Sequence, residues 1–243
     1  MSLGWDHSAD AWIAYQGDAG DQTRQFVLDA PMLEALPKKG TVLDIGCGEG
    51  QFCRKMRTRG LEPTGIDITE RLIEVARERD PETDYYACDA AGLPFRANLF
   101  DAAVFYLSLI DVPDFRKAIK EAARILRPGG RLLIANLHAH TTARPREWSG
   151  EGNNWVKDGG ARKHFAVDDI STEREIVSSW RGIRIVNHHR PLSAYMTALL
   201  DTGLILRCFE EPPYTGPDPH FRDKYSRVPW AFLMAWDKPK DIT

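Results

Sequence analysis

The feature that most restricts the fold of this chain is the run Val42-Leu43-Asp44-Ile45-Gly46-Cys47-Gly48-Glu49-Gly50, an apolar strand entering a loop of alternating glycines and then a helical stretch over residues 51–59. Positions without side chains let the main chain approach a ligand closely, and a helix start offers N–H groups with no partner inside the helix. In an open parallel sheet, a strand–loop–helix corner of this kind is where nucleoside-bearing ligands lie. A dinucleotide fingerprint reads G-x-G-x-x-G, whereas here Gly50 arrives one position early and Gln51 stands in the expected slot. The spacing points to a ligand without a pyrophosphate.

Short apolar runs keep alternating with helical stretches downstream, the pattern of βα units in a doubly wound α/β sheet. Residues 63–68 and 84–88 read as the second and third strands, with a helix over 70–79 that buries Leu72, Ile73, Val75 and Ala76. Residues 99–109 form a fourth strand, and a helix opening at Asp114 keeps Phe115, Ala118, Ile119, Ala122 and Leu126 on one face until Pro128-Gly129-Gly130 stops it. Residues 131–137 give a fifth strand. Beyond it, residues 138–190 read as an insertion and substrate lid containing a hairpin, 173–178 with 183–189. A helix over 192–201 and strands over 204–209 and 229–237 complete the C-terminal part, residues 191–243. Residues 1–39 read as an N-terminal helical cap, with a helix over 21–36 interrupted or bent at Pro31, and residues 40–137 as the ligand-binding core of a single domain.

Two acidic residues extend the site, because each closes a successive strand on the same sheet edge. Asp67 is placed to accept hydrogen bonds from both hydroxyls of a ribose, and Asp89 from an adenine amino group. Ile68 and Leu107 would wall the adenine. Taken singly, Asp67 or Asp89 is equally well a helix cap or a turn residue; the ordered set of glycine loop and two carboxylates is what argues for a pocket.

The segments VLDIGCGEG, GIDIT, CDAAGLPFRANLFDAAV and LRPGG, within residues 40–137, resemble the class I S-adenosylmethionine-dependent methyltransferases, of the small-molecule type related to the ubiquinone-biosynthesis enzymes. The resemblance implies a Rossmann-like, seven-stranded, mostly parallel sheet whose last strand is antiparallel. It implies S-adenosyl-L-methionine as cofactor, with Asp44 and the loop Gly46, Cys47, Gly48 to Gly50 around the methionine part, Asp67 on the ribose, and Asp89 with Ala90 at the adenine. The stretch 189–203 is similar to the family's late helix and sixth strand. A departure follows the fourth strand: many relatives carry paired histidines where this chain has Ile110-Asp111.

Methyl transfer from a sulfonium needs alignment and exclusion of water more than acid–base chemistry, and a base helps chiefly a hydroxyl or protonated-amine acceptor. The candidate bases are His138 and His140 beyond the fifth strand, His188 and His189 at the hairpin exit, and Tyr15. His138 and His140 also have metal-ligand spacing, but no third ligand is evident and Ala135 stands where metal-dependent relatives want an Asp, so no metal is expected. Trp5, Trp12, Tyr15, Trp148, Trp155 and Trp180 are candidates for an acceptor wall or a cover, and equally for packing on the sheet. Arg144, Arg146, Arg162 and Lys163 read as solvated loop charge, with a clamp for an acidic substrate as the alternative. Glu211-Pro212-Pro213-Tyr214 lies too late, and begins with the wrong residue, to be the motif of enzymes that methylate exocyclic amines of bases; it reads as a loop.

A formal charge of -3, with basic and acidic residues interleaved, disfavours nucleic acid as a partner. Cys47, Cys53, Cys88 and Cys208 contain no CxxC pair and read as reduced thiols. No apolar run approaches the roughly 18–20 residues of a membrane span, and the N-terminus lacks the order of a signal peptide, so a cytoplasmic protein with no membrane partner is expected. Besides a methyltransferase acting on a small-molecule acceptor, two readings remain open: a nicotinamide-dependent oxidoreductase, and a non-catalytic protein that binds S-adenosylmethionine for regulation.

Overall fold

The computed structural model describes residues 3–17, 19–143 and 154–240. It opens with α1 (Trp5–Gln16), then a π-helical segment (Arg24–Leu28) that runs into α2 (Asp29–Ala35). The alternating core follows: β1 (Gly40–Ile45), α3 (Gln51–Thr58), β2 (Leu61–Asp67), α4 (Glu70–Arg79), β3 (Asp84–Ala87), β4 (Phe100–Tyr106), α5 (Phe115–Ile125) and β5 (Leu126–Leu137). Short α6 (Ala139–Thr142) leads to two hairpins, β6 (Trp155–Asp158) with β7 (Ala161–Phe165), and β8 (Arg174–Trp180) with β9 (Ile183–His189). Then come α7 (Leu192–Leu200), β10 (Ile205–Glu210), α8 (Pro219–Arg227) and β11 (Ala231–Asp237).

Seven strands form one sheet in the order β10-β11-β5-β4-β1-β2-β3. Strands β1 to β5 pair in parallel, and β11 is antiparallel to both β5 and β10. This is the expected Rossmann-like sheet with its antiparallel last strand. Successive residues of β1 serve opposite faces: Leu43 and Ile45 join Phe105, Phe115, Tyr195 and Trp236 under α5 and α7. Val42 joins Phe52, Met56, Met32 and Tyr106 under α2 and α3. Covering both faces requires strands that are apolar throughout, which is why they read as continuous runs rather than as alternating ones. Each large side chain shielded this fully contributes ~1.5–3 kcal/mol.

Several expectations need correction. Irregularity in the second helix lies upstream of Pro31, at the π turn where the Asp29 N–H donates to the Arg24 carbonyl five residues back; Pro31 follows that turn inside α2. Among the described residues the 138–190 stretch holds two hairpins where one was expected. In the β8–β9 hairpin Trp180 pairs with Ile183, so Arg181 (φ +46°) and Gly182 (φ +84°) form the two-residue turn. Helix α1 falls within the expected N-terminal helical cap, whereas α8 was not expected; it is announced by Asp218, whose carboxylate accepts from the His220 N–H, with Pro219 at the first helical position.

Candidate functional site

At the carboxyl edge of the sheet, the ends of β1, β2, β3 and β4 converge on one cleft of about 770 Å³, its open mouth included. The main chain of Gly46 and Gly48 forms its floor at the end of β1. Gly46 has φ +77°, and a Cβ there would stand 2.4 Å from the Ser108 Cβ; at Gly48, φ +57°, the nearest heavy atom is the Trp12 Nε1 at 3.5 Å. The N–H groups of Gly46 and Cys47 both donate to the Ile66 carbonyl at 2.8 Å, which ties the loop to β2.

Asp67, ending β2, accepts from the Gly48 N–H through Oδ2 and from the Thr69 N–H through Oδ1, each at 2.9 Å. Burial pushes its carboxyl up, opposed by these N–H groups. Each oxygen has two lone pairs, so both keep capacity for a ligand. Asp89 is exposed, with Oδ1 accepting from the Ala91 N–H at 2.8 Å, and lines the cleft beside buried Ala90. Ile68 is 68% exposed although apolar, and it too faces the cleft. Leu107 occupies the left-handed region at φ +59° with its N–H on the Ala135 carbonyl, a conformation that costs a non-glycine residue roughly 1–3 kcal/mol and is found where a site is pre-shaped.

Of the residues singled out in the sequence, Gly46, Gly48, Asp67, Ile68, Asp89, Ala90 and Leu107 line this cleft. Asp44, Cys47 and Gly50 stand behind its wall. Asp44 is 1% exposed and accepts from the Cys53 thiol at 3.4 Å; burial pushes its carboxyl up to about 7. Cys47 is buried, with Sγ 2.9 Å from where a Gly65 Cβ would be, and a Cβ on Gly50 would meet the Tyr85 hydroxyl at 2.5 Å, so packing already accounts for that glycine.

His138, His140 and Tyr15 lie outside the lining. The two imidazoles stack at 4.6 Å beyond β5, His138 with Nε2 2.7 Å from Glu211 Oε1 and His140 with Nε2 2.7 Å from the Pro229 carbonyl. Burial, with His140 alongside, lowers His138 to about 4 against the pull of Glu211, so its ring is neutral near pH 7. Tyr15 lies under the Arg181 guanidinium, 5.3 Å from its ring centre. His189 is buried between the Thr142 hydroxyl and the Ile170 carbonyl, and the His188 N–H donates to the Ile110 carbonyl. Arg162 pairs with Asp223 and Lys163 with Asp158, while Trp155 packs against Phe165. Arg144, Arg146 and Trp148 fall outside the described residues. Among the described residues no three His, Cys, Asp or Glu side chains gather as metal ligands, and no helix is long and apolar enough to cross a membrane.

The cleft also contains residues that sequence reasoning missed. Arg24, from the π turn, pairs with Asp21 at 2.6 Å and lies 4.8 Å from the centre of the Trp12 ring. Asp111, after β4, accepts from the Trp5 indole N–H at 3.2 Å and from the Asn187 amide. Trp5 and Trp12 of α1 complete the lining, so that of the tryptophans considered as walls these two reach the cleft. The local signals were the aromatic spacing of α1, the bend expected in the following helix, and the departure at Ile110-Asp111.

The fold is a Rossmann-like doubly wound sheet with a cleft at its carboxyl edge. Residues 43–134 match the model of the methyltransferase domain family. The chain is 34% identical over 122 residues, half of each protein, to a demethylmenaquinone methyltransferase of Renibacterium salmoninarum. It is 30% identical over 156 residues to a malonyl-[acyl-carrier protein] O-methyltransferase of Salmonella typhimurium, covering 64% of this chain and 58% of that one. It thus spans about half the length of these curated relatives. A solved S-adenosylmethionine dependent methyltransferase of Mesorhizobium loti superposes with a TM-score of 0.72 at 24% identity, over 91% of this chain and 100% of that one, which establishes the fold.

Proposed function

We propose that this chain takes the methyl group of S-adenosylmethionine and passes it to a small-molecule acceptor. The observation that carries the reading is the convergence of bare glycine main chain, Asp67 and Asp89 on one cleft. The residues present fit the cofactor: a Cβ at Gly48 would meet no protein atom nearer than the Trp12 Nε1 at 3.5 Å, so open cleft faces that glycine, and an apolar side chain as large as Ile68 stands exposed on the wall. Gly46 and Gly48 would take the methionine part, Asp67 the ribose hydroxyls, and Asp89 with Ala90 the adenine, between Ile68 and Leu107.

S-adenosylmethionine supplies a methyl carbon activated by its sulfonium. The chain's own part is alignment and a dry site, worth up to roughly 7–11 kcal/mol in such reactions. Trp5 and Trp12 of α1 line the cleft, and their rings would exclude water from the bound cofactor. For His138 or His140 to handle a proton, the acceptor must reach past β5 to the stacked rings; for Tyr15, past Trp12. The interleaved charge of the chain suits a small acceptor rather than a phosphate backbone. Its four free cysteines suit a reducing compartment such as the cytoplasm.

Calorimetry tests the reading: heat on titrating S-adenosylhomocysteine and none with NAD is the expected result, and the reverse would replace it with the oxidoreductase alternative. Transfer of radiolabelled methyl groups across a metabolite panel is then expected to label at least one small molecule. Tight binding with label transferred to no acceptor of any class would favour a regulatory protein.

A further inference from the structure

The sheet order divides the cleft. Asp67 and Asp89 follow β2 and β3 on one side of the β1 glycine loop, whereas β4 and the turn that follows it lie on the other. On that second side stands Asp111, with Val112 and Pro113 beside it and Trp5 across from it. Its carboxylate is fixed from two distant elements, by the Trp5 indole of α1 and the Asn187 amide of β9. The turn is fixed as well: Arg190 donates to the carbonyls of Leu109, Val112 and Pro113, and the His188 N–H to that of Ile110. Among the described residues no cation hydrogen-bonds to this carboxylate. A carboxylate that faces a cleft without a paired cation, its two donors both neutral, retains lone pairs and basicity for a ligand.

We propose that Asp111 is the proton acceptor of the methyl transfer, and that the acceptor molecule is a small compound presenting a hydroxyl or amine to it; this rests on the methyl-transfer reading above. The acceptor's heteroatom lone pair forms the bond to the methyl carbon, the carbon–sulfur pair returns to sulfur, and the heteroatom's proton passes to an Asp111 oxygen and then to solvent. Burial raises the Asp111 carboxyl to about 7, opposed by its Asn187 and Trp5 donors. Asp67 raises it further and Arg24 lowers it, Tyr195 of α7 senses its charge, and Arg190 spends its N–H groups on the turn carbonyls. Such a group is a proton acceptor matched to neutral pH.

Carboxyl-labelled aspartate followed by NMR, with phenol and anisole as probes of the cleft, tests this without a known acceptor. Two aspartates, Asp44 and Asp111, should titrate near neutrality, and Asp111→Asn should abolish one of these titrations. Should that variant not fold, Trp5→Phe removes one donor and should move the Asp111 titration upward while leaving that of Asp44 in place. In the S-adenosylhomocysteine complex, phenol should bind roughly tenfold tighter than anisole, the worth of one hydrogen bond to a charged group. That preference should vanish in Asp111→Asn and on acidifying through the Asp111 titration, while affinity for S-adenosylhomocysteine stays within about twofold. Titration of Asp111 in the ordinary aspartate range, equal or absent binding of phenol and anisole, or a preference that survives Asp111→Asn would each overturn the proposal. Failure of S-adenosylhomocysteine to bind the wild type would count against the methyl-transfer reading instead, since the titrations and the phenol comparison are also run on the free protein.

Discussion

Asp67 holds the glycine loop through Gly48 and faces the cleft with the same carboxylate. Asp67→Ala is therefore expected to weaken S-adenosylhomocysteine binding by about 1–3 kcal/mol; calorimetry on a folded variant showing unchanged affinity would contradict the ribose assignment. Gly46→Ala forces a side chain against Ser108 at a positive φ, and a loss of roughly 1–3 kcal/mol is expected in denaturant titration, together with weaker ligand binding. Asp44 makes a prediction about pH. Its carboxyl is raised from near 4 when unfolded to about 7 when folded, so the native state keeps a proton that the unfolded chain has released, and stability present below pH 4 is lost as pH rises toward 7. Asp111 adds a slope of the same sign, and Asp44→Asn is expected to flatten, without abolishing, the decline measured between about pH 4 and 7. Glycine loop and strand-ending carboxylates are legible in the sequence because their meaning is local. Asp111 was not: its partners Trp5 and Asn187 lie 106 and 76 residues away, and the sequence marked it only as part of the Ile110-Asp111 pair that stands where many relatives carry histidines.

The βα units were legible for a different reason. Burial on both faces of the sheet writes each strand as an apolar run, and α5 keeps one buried face from Phe115 to Ile125. Helix α1 was legible only as part of a helical cap, without bounds, because it buries Ser8 and Ala9 and is held by polar contacts: the Ser8 hydroxyl donates to the Arg184 carbonyl and the Gly4 N–H to the same oxygen. Its two tryptophans lie over the cleft rather than in the core, so no core-facing stripe marks it. Hairpin β6–β7 pairs across only a few residues with mostly exposed side chains, and it carries little period-two signal. A cover held by a few polar contacts belongs to the less stable part of a fold. Amide hydrogen exchange in Trp5–Gln16 is accordingly expected to slow on adding S-adenosylhomocysteine, with little change in β6–β7. Equal exchange of α1 with and without ligand would deny it a role over the cleft.

For the whole molecule, sheet order is what gives the site its two sides. With β1 central, β2 and β3 carry the carboxylates of Asp67 and Asp89 one way, and β4 and β5 carry the other wall away from them. The order follows from right-handed crossovers between parallel strands and places the ligand where the winding reverses. The acceptor's identity is less legible, since it depends on α1, the hairpins and the post-β4 turn, whose meeting is tertiary. The account depends most on where an adenosyl group sits, and a crystal structure with S-adenosylhomocysteine measures that directly. It should show both ribose hydroxyls on Asp67, the adenine between Ile68 and Leu107 with its amino group at Asp89, and the amino-acid part against Gly46 and Gly48. A ligand bound elsewhere, or a ribose without contact to Asp67, would contradict it.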